Sequence, residues 1–95
     1  MKQPEKYRIE VSPAADRNLD KLKGKIRRQD FERLRSAIGA LASQPRPRGA
    51  RKIKGSETAY RIRVGDYRTV YDVYDDQKLV LVLQVTRRTE TTYRQ

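Results

Sequence analysis

Tyr60-Arg61-Ile62-Arg63-Val64-Gly65-Asp66-Tyr67-Arg68-Thr69-Val70-Tyr71 is the stretch that decides how this chain folds. β-Branched and aromatic residues alternate with polar ones on both sides of Gly65-Asp66, the pattern of a β-hairpin closed by a two-residue turn. Pairing Val64 with Tyr67 puts Arg63 directly across from Arg68 and Arg61 across from Val70. Side chains alternate faces along a strand, so Arg61, Arg63 and Arg68 share one face. Ile62, Val64, Tyr67 and Thr69 share the other. Like charges opposed across a ladder destabilise it. Three guanidiniums on one face make a site for an anion, and the arginine fork matches phosphate geometry. The competing reading is a merely soluble sheet face with the arginines splayed apart.

Whole-chain charge favours the anion site. The chain has 95 residues, enough for one domain over 1–95 with one modest core. It carries 23 Lys plus Arg against 12 Asp plus Glu, a net charge of +11. Such a balance implies a polyanionic partner, first of all nucleic acid, or an acidic protein that neutralises it. Residues 45–68 hold eight of the basic residues and only two acidic ones, so more than half of the excess sits in a quarter of the chain. Arg46, Arg48, Arg51, Lys52 and Lys54 thereby join the hairpin arginines as expected nucleic-acid contacts. There is no cysteine and no histidine, which excludes disulfides, thiolate or imidazole metal sites, and Cys-His or Ser-His-Asp catalysis. No metal or cofactor is expected. No apolar run approaches the roughly 20 residues of a membrane span. Residues 1–6 have no apolar core behind them and do not read as a signal peptide. The expected location is the cytoplasm, with no membrane partner.

Outward from the hairpin, residues 1–6 read as a loose polar tail. Tyr7-Arg8-Ile9-Glu10-Val11 alternates as a strand with Tyr7, Ile9 and Val11 inward. Ser12-Pro13 starts a helix, with Ser as N-cap, Pro at the first helical position and Asp16 at the positive end of the dipole. Ala15, Leu19, Leu22 and Ile26 mark its apolar stripe, and Gly24 breaks it. A second helix carries Phe31, Leu34, Ala37, Ile38 and Leu41 inward. It starts somewhere from Lys25 to Asp30 and ends near Ser43, ahead of Gln44-Pro45-Arg46-Pro47-Arg48-Gly49. That segment reads as an ordered crossover, and Lys52-Ile53-Lys54-Gly55 as a short strand or a turn. Strands follow at Ala59–Val64, Tyr67–Tyr74 and Lys78–Val85. Leu79–Leu83 is apolar on both faces, the pattern of a strand covered on both sides; Val70 and the arginine stems are candidates for the second cover. The order is β-α-α-β-β-β, an α+β fold with two helices on one face of a small, mostly antiparallel sheet. The other face carries the arginines. Residues 86–95 leave the central strand near that face and add Arg87, Arg88 and Tyr93, a functional C-terminal tail.

Arginine is no general base, since it keeps its proton. Tyr93 either stacks on a base or packs against the sheet edge. Lys52 and Lys54 either line a solvated turn or, among neighbouring cations, give up a proton. Such a site can hold a scissile phosphate and stabilise its transition-state charge. In RNA the 2′-hydroxyl is a built-in nucleophile, and no metal is needed.

Three pieces in order, Leu41-Ala42-Ser43-Gln44-Pro45-Arg46-Pro47, Lys52-Ile53-Lys54-Gly55 and the hairpin, closely resemble the RelE branch of the RelE/ParE toxin superfamily. The likeness runs from the first strand to Val85 and the arginine-rich tail. It implies the toxin of a type II toxin–antitoxin system: a ribosome-dependent, metal-independent endoribonuclease that cuts mRNA in the A site through 2′-hydroxyl attack. The implied partners are an acidic antitoxin, the ribosome and mRNA, with operator DNA reached only through the antitoxin complex. By the resemblance, Arg61 and Arg63 match the paired cations of the first hairpin strand, Arg68 the transition-state arginine, Arg88 the arginine after the last strand, and Tyr93 the C-terminal tyrosine. The chain departs from the pattern at two points. Some members have lysines where Arg61 and Arg63 stand, one of them the general base. Many have Gly-His or Gly-Lys where this chain has Thr86-Arg87. The alternatives are a ParE-like inhibitor of DNA gyrase with the same fold, and a nucleic-acid-binding module without catalysis.

Overall fold

The computed structural model describes residues 6–87. Five strands and two helices follow in the order β1 (Arg8–Val11), α1 (Pro13–Lys23), α2 (Arg28–Ala40), β2 (Arg51–Lys52), β3 (Ala59–Val64), β4 (Tyr67–Tyr74) and β5 (Leu79–Arg87). One sheet in the order β1-β5-β4-β3-β2 is antiparallel except for the parallel pairing of β1 with β5. Both helices lie on one face, as the alternation of the hairpin requires. Among the described residues no helix is long and apolar enough to cross a membrane.

Local chemistry fixes α1. Ser12 Oγ accepts from the Ala15 amide at 3.1 Å, Pro13 occupies the first turn with Asp16, and Lys21 and Lys23 close the last. α2 begins at Arg28 after an N-cap residue, Arg27, whose side chain makes no cap bond, and ends at Ala40, with a turn continuing to Ser43. Leu34, Ile38 and Leu41 of this segment join Ala15 and the inward residues Ile62, Tyr67, Tyr71, Val73, Val80, Val82 and Val85 in one core. Truncating a fully buried leucine such as Leu34 in such a core costs roughly 2–5 kcal/mol. Phe31, expected in the stripe, is only half-buried and lies outside this cluster, in a groove with Leu19 and Ile26. Val11, expected inward, is 40% exposed, because it ends an edge strand with a ladder partner on one side only.

The hairpin has the register its alternation sets: Val64 pairs with Tyr67, Arg63 with Arg68, Ile62 with Thr69 and Arg61 with Val70. Gly65 supplies the positive φ, +59°, that a two-residue hairpin turn takes at its first central position. The β4–β5 ladder holds a feature the sequence conceals. Val70 pairs with Gln84 but Tyr71 pairs with Val82, so Leu83 is an extra residue, a β-bulge. The N-cap and first turns of α1 satisfy backbone groups at the bulge and just beyond it. The Ser12 hydroxyl donates to the Leu83 carbonyl at 3.0 Å, and the Val85 amide donates to Asn18 Oδ1 at 2.9 Å. The bulge shifts the parity of β5. Val80 and Val82 face the helices before it and Val85 faces them after it, so Gln84 and Thr86 point to the open side. On that open side the neighbours of Leu79 and Leu81 are Tyr74 and Asp72 of β4, and Arg8 and Glu10 of β1. Val70, expected to cover them, stands instead beside Gln84.

Candidate nucleic-acid interface

The open face of β3 and β4 carries Arg61, Arg63 and Arg68, and β2 adds Arg51 directly opposite Arg61. Two like-charge pairs, Arg51–Arg61 and Arg63–Arg68, therefore stand side by side in one sheet. Each opposition costs on the order of 0.2–1 kcal/mol. Among the described residues, Arg48, Arg51, Arg61 and Arg68 have no carboxylate within ion-pair distance. A cleft of about 290 Å³ is lined by Arg48, Gly49, Arg51, Arg61, Ile62 and Arg63. Arg68 adds a further cost. Its Nε is buried and has no hydrogen-bond partner among the described residues. A buried donor left unmade costs about 1–3 kcal/mol. An anion seated on this face would offset the charge opposition.

Arg46 stands in a different environment. Its guanidinium donates to both carboxylate oxygens of Asp75, at 3.2 and 2.8 Å, and its Nε donates to the Tyr60 hydroxyl at 3.0 Å. Its charged group also lies 5.2 Å from the centre of the Tyr60 ring. Tyr7 donates its hydroxyl to Asp75 at 2.5 Å, and Tyr60 stacks on Tyr71 at 6.1 Å between centroids. The Tyr71 hydroxyl donates to the Pro45 carbonyl at 2.7 Å. Residues 45–46 are thus tied to β3, β4 and the 3-10 turn Asp75–Gln77, which also takes the bond from Tyr7 just ahead of β1. Hydrogen bonds from Arg46 and then Tyr7 hold the Asp75 carboxyl below the usual carboxylate range. The bond to Asp75 raises Tyr7, and desolvation pushes Tyr71 up to about 12.

The residues singled out in the sequence divide accordingly. Arg61, Arg63 and Arg68 come together on the open face, and Arg48 and Arg51 adjoin them. Arg46 is engaged in the Asp75 network. Lys52 pairs with Tyr60, on the face away from Arg61, and Lys54 lies exposed in the turn after β2. Arg87, expected beside the open-face arginines, pairs with Tyr67 on the helix side, because the Leu83 bulge reverses the parity of β5. Arg88 and Tyr93 lie outside the described residues. Sequence reasoning missed the Arg46–Asp75–Tyr7 network, whose members are 29 and 68 residues apart; no short-range pattern signals it. It also missed Arg51 opposite Arg61, since a two-residue strand has no alternation to read.

The family model of the ParE toxin of type II toxin–antitoxin systems matches residues 9–91. The chain belongs to the RelE/ParE toxin superfamily. Solved structures place this toxin with the RelE branch. The RelE of the Pyrococcus horikoshii RelE–RelB complex superposes with a TM-score of 0.73 at 25% identity, covering 87% of this chain and 96% of that one. The Mycobacterium tuberculosis toxin–antitoxin complex RelBE2 gives a TM-score of 0.71 at 24% identity, covering 90% of this chain and 95% of that one, a likeness of fold. By sequence, RelE1 of Methanocaldococcus jannaschii is 27% identical over 62 residues, 62% of this chain and 69% of its own length. The toxin keeps the expected β-α-α-β-β-β order, with β2 as a short added edge strand.

Proposed function

We propose that this toxin is a ribosome-dependent endoribonuclease that cleaves mRNA in the A site. The observation that carries the reading is Arg68, opposed to Arg63 and with a buried donor left unpartnered, beside Arg61 on an open sheet face. A scissile phosphate held there meets guanidinium donors whose cost in the free protein the phosphate offsets, the arrangement expected where charge develops in a transition state. The 2′-oxygen attacks the phosphorus and gives up its proton to a base. The bond to the 5′-oxygen breaks, and that oxygen is protonated as it leaves. The products are a 2′,3′-cyclic phosphate and a 5′-hydroxyl end. Arg61 and Arg63 bind the phosphate and Arg68 stabilises its added charge. Arg88 and Tyr93 are proposed to complete the site from the C-terminal tail, and Arg48 and Arg51 to hold flanking phosphates. No arginine serves as the base; that role goes to Lys54, to water or to the tail. A charge of +11 calls for an acidic antitoxin as cognate partner; the P. horikoshii relative was solved as a RelE–RelB complex and the M. tuberculosis one as a toxin–antitoxin complex. Operator DNA would be reached through that complex.

The ParE model match favours a second reading, inhibition of DNA gyrase by binding. Purified toxin added to a translation extract separates the two. Ribonuclease activity gives translation arrest with new 5′-hydroxyl ends in mRNA. Gyrase inhibition gives DNA breaks with translation intact at first, and that outcome would replace the first reading.

A further inference from the structure

The open sheet face is not the end of the basic surface. β2 covers only two residues of β3, Tyr60 and Arg61, so among the described residues Ile62–Val64 has no strand partner on its outer side. Along that bare edge the cleft of the open face adjoins a second one of about 770 Å³, and Arg63 lines both. The second cleft lies between β3 and α2 and includes Arg28 and Arg33, with Glu32 as its one carboxylate. Arg33 in turn lines a third cleft of about 400 Å³ under the hairpin tip, where Lys25, Arg27 and Arg87 stand with Asp30 and Asp66. Of these carboxylates, Asp30 pairs with Arg27 and Glu32 with Arg35, whereas Arg28 and Arg33 pair with no carboxylate among the described residues.

We propose that the toxin carries a second phosphate-backbone track, running from Arg63 round the free edge of β3 to Arg33 and Arg28 of α2 and on to Arg87. The inference rests on the nucleic-acid reading above and extends it. The open face would hold the reacting phosphate, and the track would hold a different stretch of RNA on the helix side. Charge complementarity selects the occupant. The track is a line of guanidiniums on an elongated surface, which fits successive phosphates. The Leu83 bulge belongs to the same design, because it turns Arg87 away from the open face and into the third cleft.

Binding to mRNA-programmed ribosomes, measured against salt, tests the track. Two double variants remove the same charge: Arg28→Ala with Arg33→Ala on the track, and Arg17→Ala with Lys21→Ala on exposed helix positions outside the three clefts. Each lost phosphate contact lowers the slope of log affinity against log salt by about 0.7–0.9. The track pair should lower the slope by about 1.5 and weaken affinity at physiological salt, and the control pair should leave the slope at the wild-type value. An Arg33→Lys variant, which keeps the charge, should keep the slope, and melting temperatures confirm that all variants fold. Equal slopes for the two double variants, or a wild-type slope for the track pair, would overturn the track while leaving the cleavage reading intact. Loss of antitoxin binding with an unchanged salt slope would assign the surface to an acidic protein instead and also overturn it. Wild-type toxin that neither binds nor cleaves on ribosomes would remove both the track and the reading it rests on.

Discussion

The two ends of β4 handle positive charge in opposite ways. At the Asp75 end, Arg46 has a bidentate carboxylate, a tyrosine hydroxyl and a ring face, and Lys78 lies 5.3 Å from the centre of the Tyr7 ring. At the Gly65 end, Arg68 faces Arg63, and its Nε is buried without a partner among the described residues. The strand, the hairpin logic and the residue type are the same at both ends. What differs is whether the fold itself supplies the anion. Where it does, arginine serves stability. Where it does not, the charge is held ready for a ligand at the fold's expense. A basic composition by itself does not separate these uses.

The sharpest way to break this contrast is a pair of substitutions. Arg68→Ala should cut mRNA cleavage at least about 100-fold, the scale of losing one transition-state donor, with unchanged or slightly higher thermal stability. Arg46→Ala should do the reverse, lowering the melting temperature while cleavage per folded molecule persists. If Arg68→Ala still arrests translation at wild-type potency, the Gly65 end is not the site.

A smaller effect belongs to Tyr71, at the Asp75 end. Its folded pKa of about 12 exceeds the unfolded 10.0, so its neutral form is favoured in the native state. The associated stability is complete below pH 10.0 and is lost as pH rises towards 12, amounting to about 3 kcal/mol. Chemical denaturation across that interval should show the decline, and Tyr71→Phe should flatten it while starting from a lower plateau, since the Pro45 carbonyl loses its donor.

Arg51→Glu tests the other end of the contrast. It converts a like-charge ladder pair with Arg61 into an attractive one, and stability should rise by about 0.2–1 kcal/mol while ribosome affinity falls. A stability loss would mean that the opposed arginines already carry no cost.

The smallest effect is at Asp75, an exposed ion pair screened by solvent and salt. Its folded pKa lies below the ordinary 3.8. The contribution of Asp75 is therefore present above 3.8 and disappears as pH falls through the folded value. Asp75→Asn should remove that acid-side component from the melting curve, with the difference from wild type shrinking in high salt.

The sequence by itself determined the hairpin, its register and the faces of its arginines. Period-two alternation across Gly65-Asp66 admits one inward set, and slipping it by a residue would bury guanidiniums. The cap and first turn of α1 were equally legible, because Ser12, Pro13 and Asp16 act on backbone groups within a few residues. Only the tertiary structure decided the rest. Leu79–Leu83 is apolar at every position, so it carries no parity, and the bulge at Leu83 is bonded by Ser12 and Asn18, the N-cap and a helical residue of the distant α1; Arg87 changes sides with it. The roles of Arg46 and Arg68 were equally closed to the sequence. Both are arginines in a basic chain, and what separates them is Asp75, brought beside Arg46 from 29 residues away by the return of β4. Alternation and capping act over a few residues and can be read locally, whereas partnership between charges depends on which segments the finished sheet sets side by side.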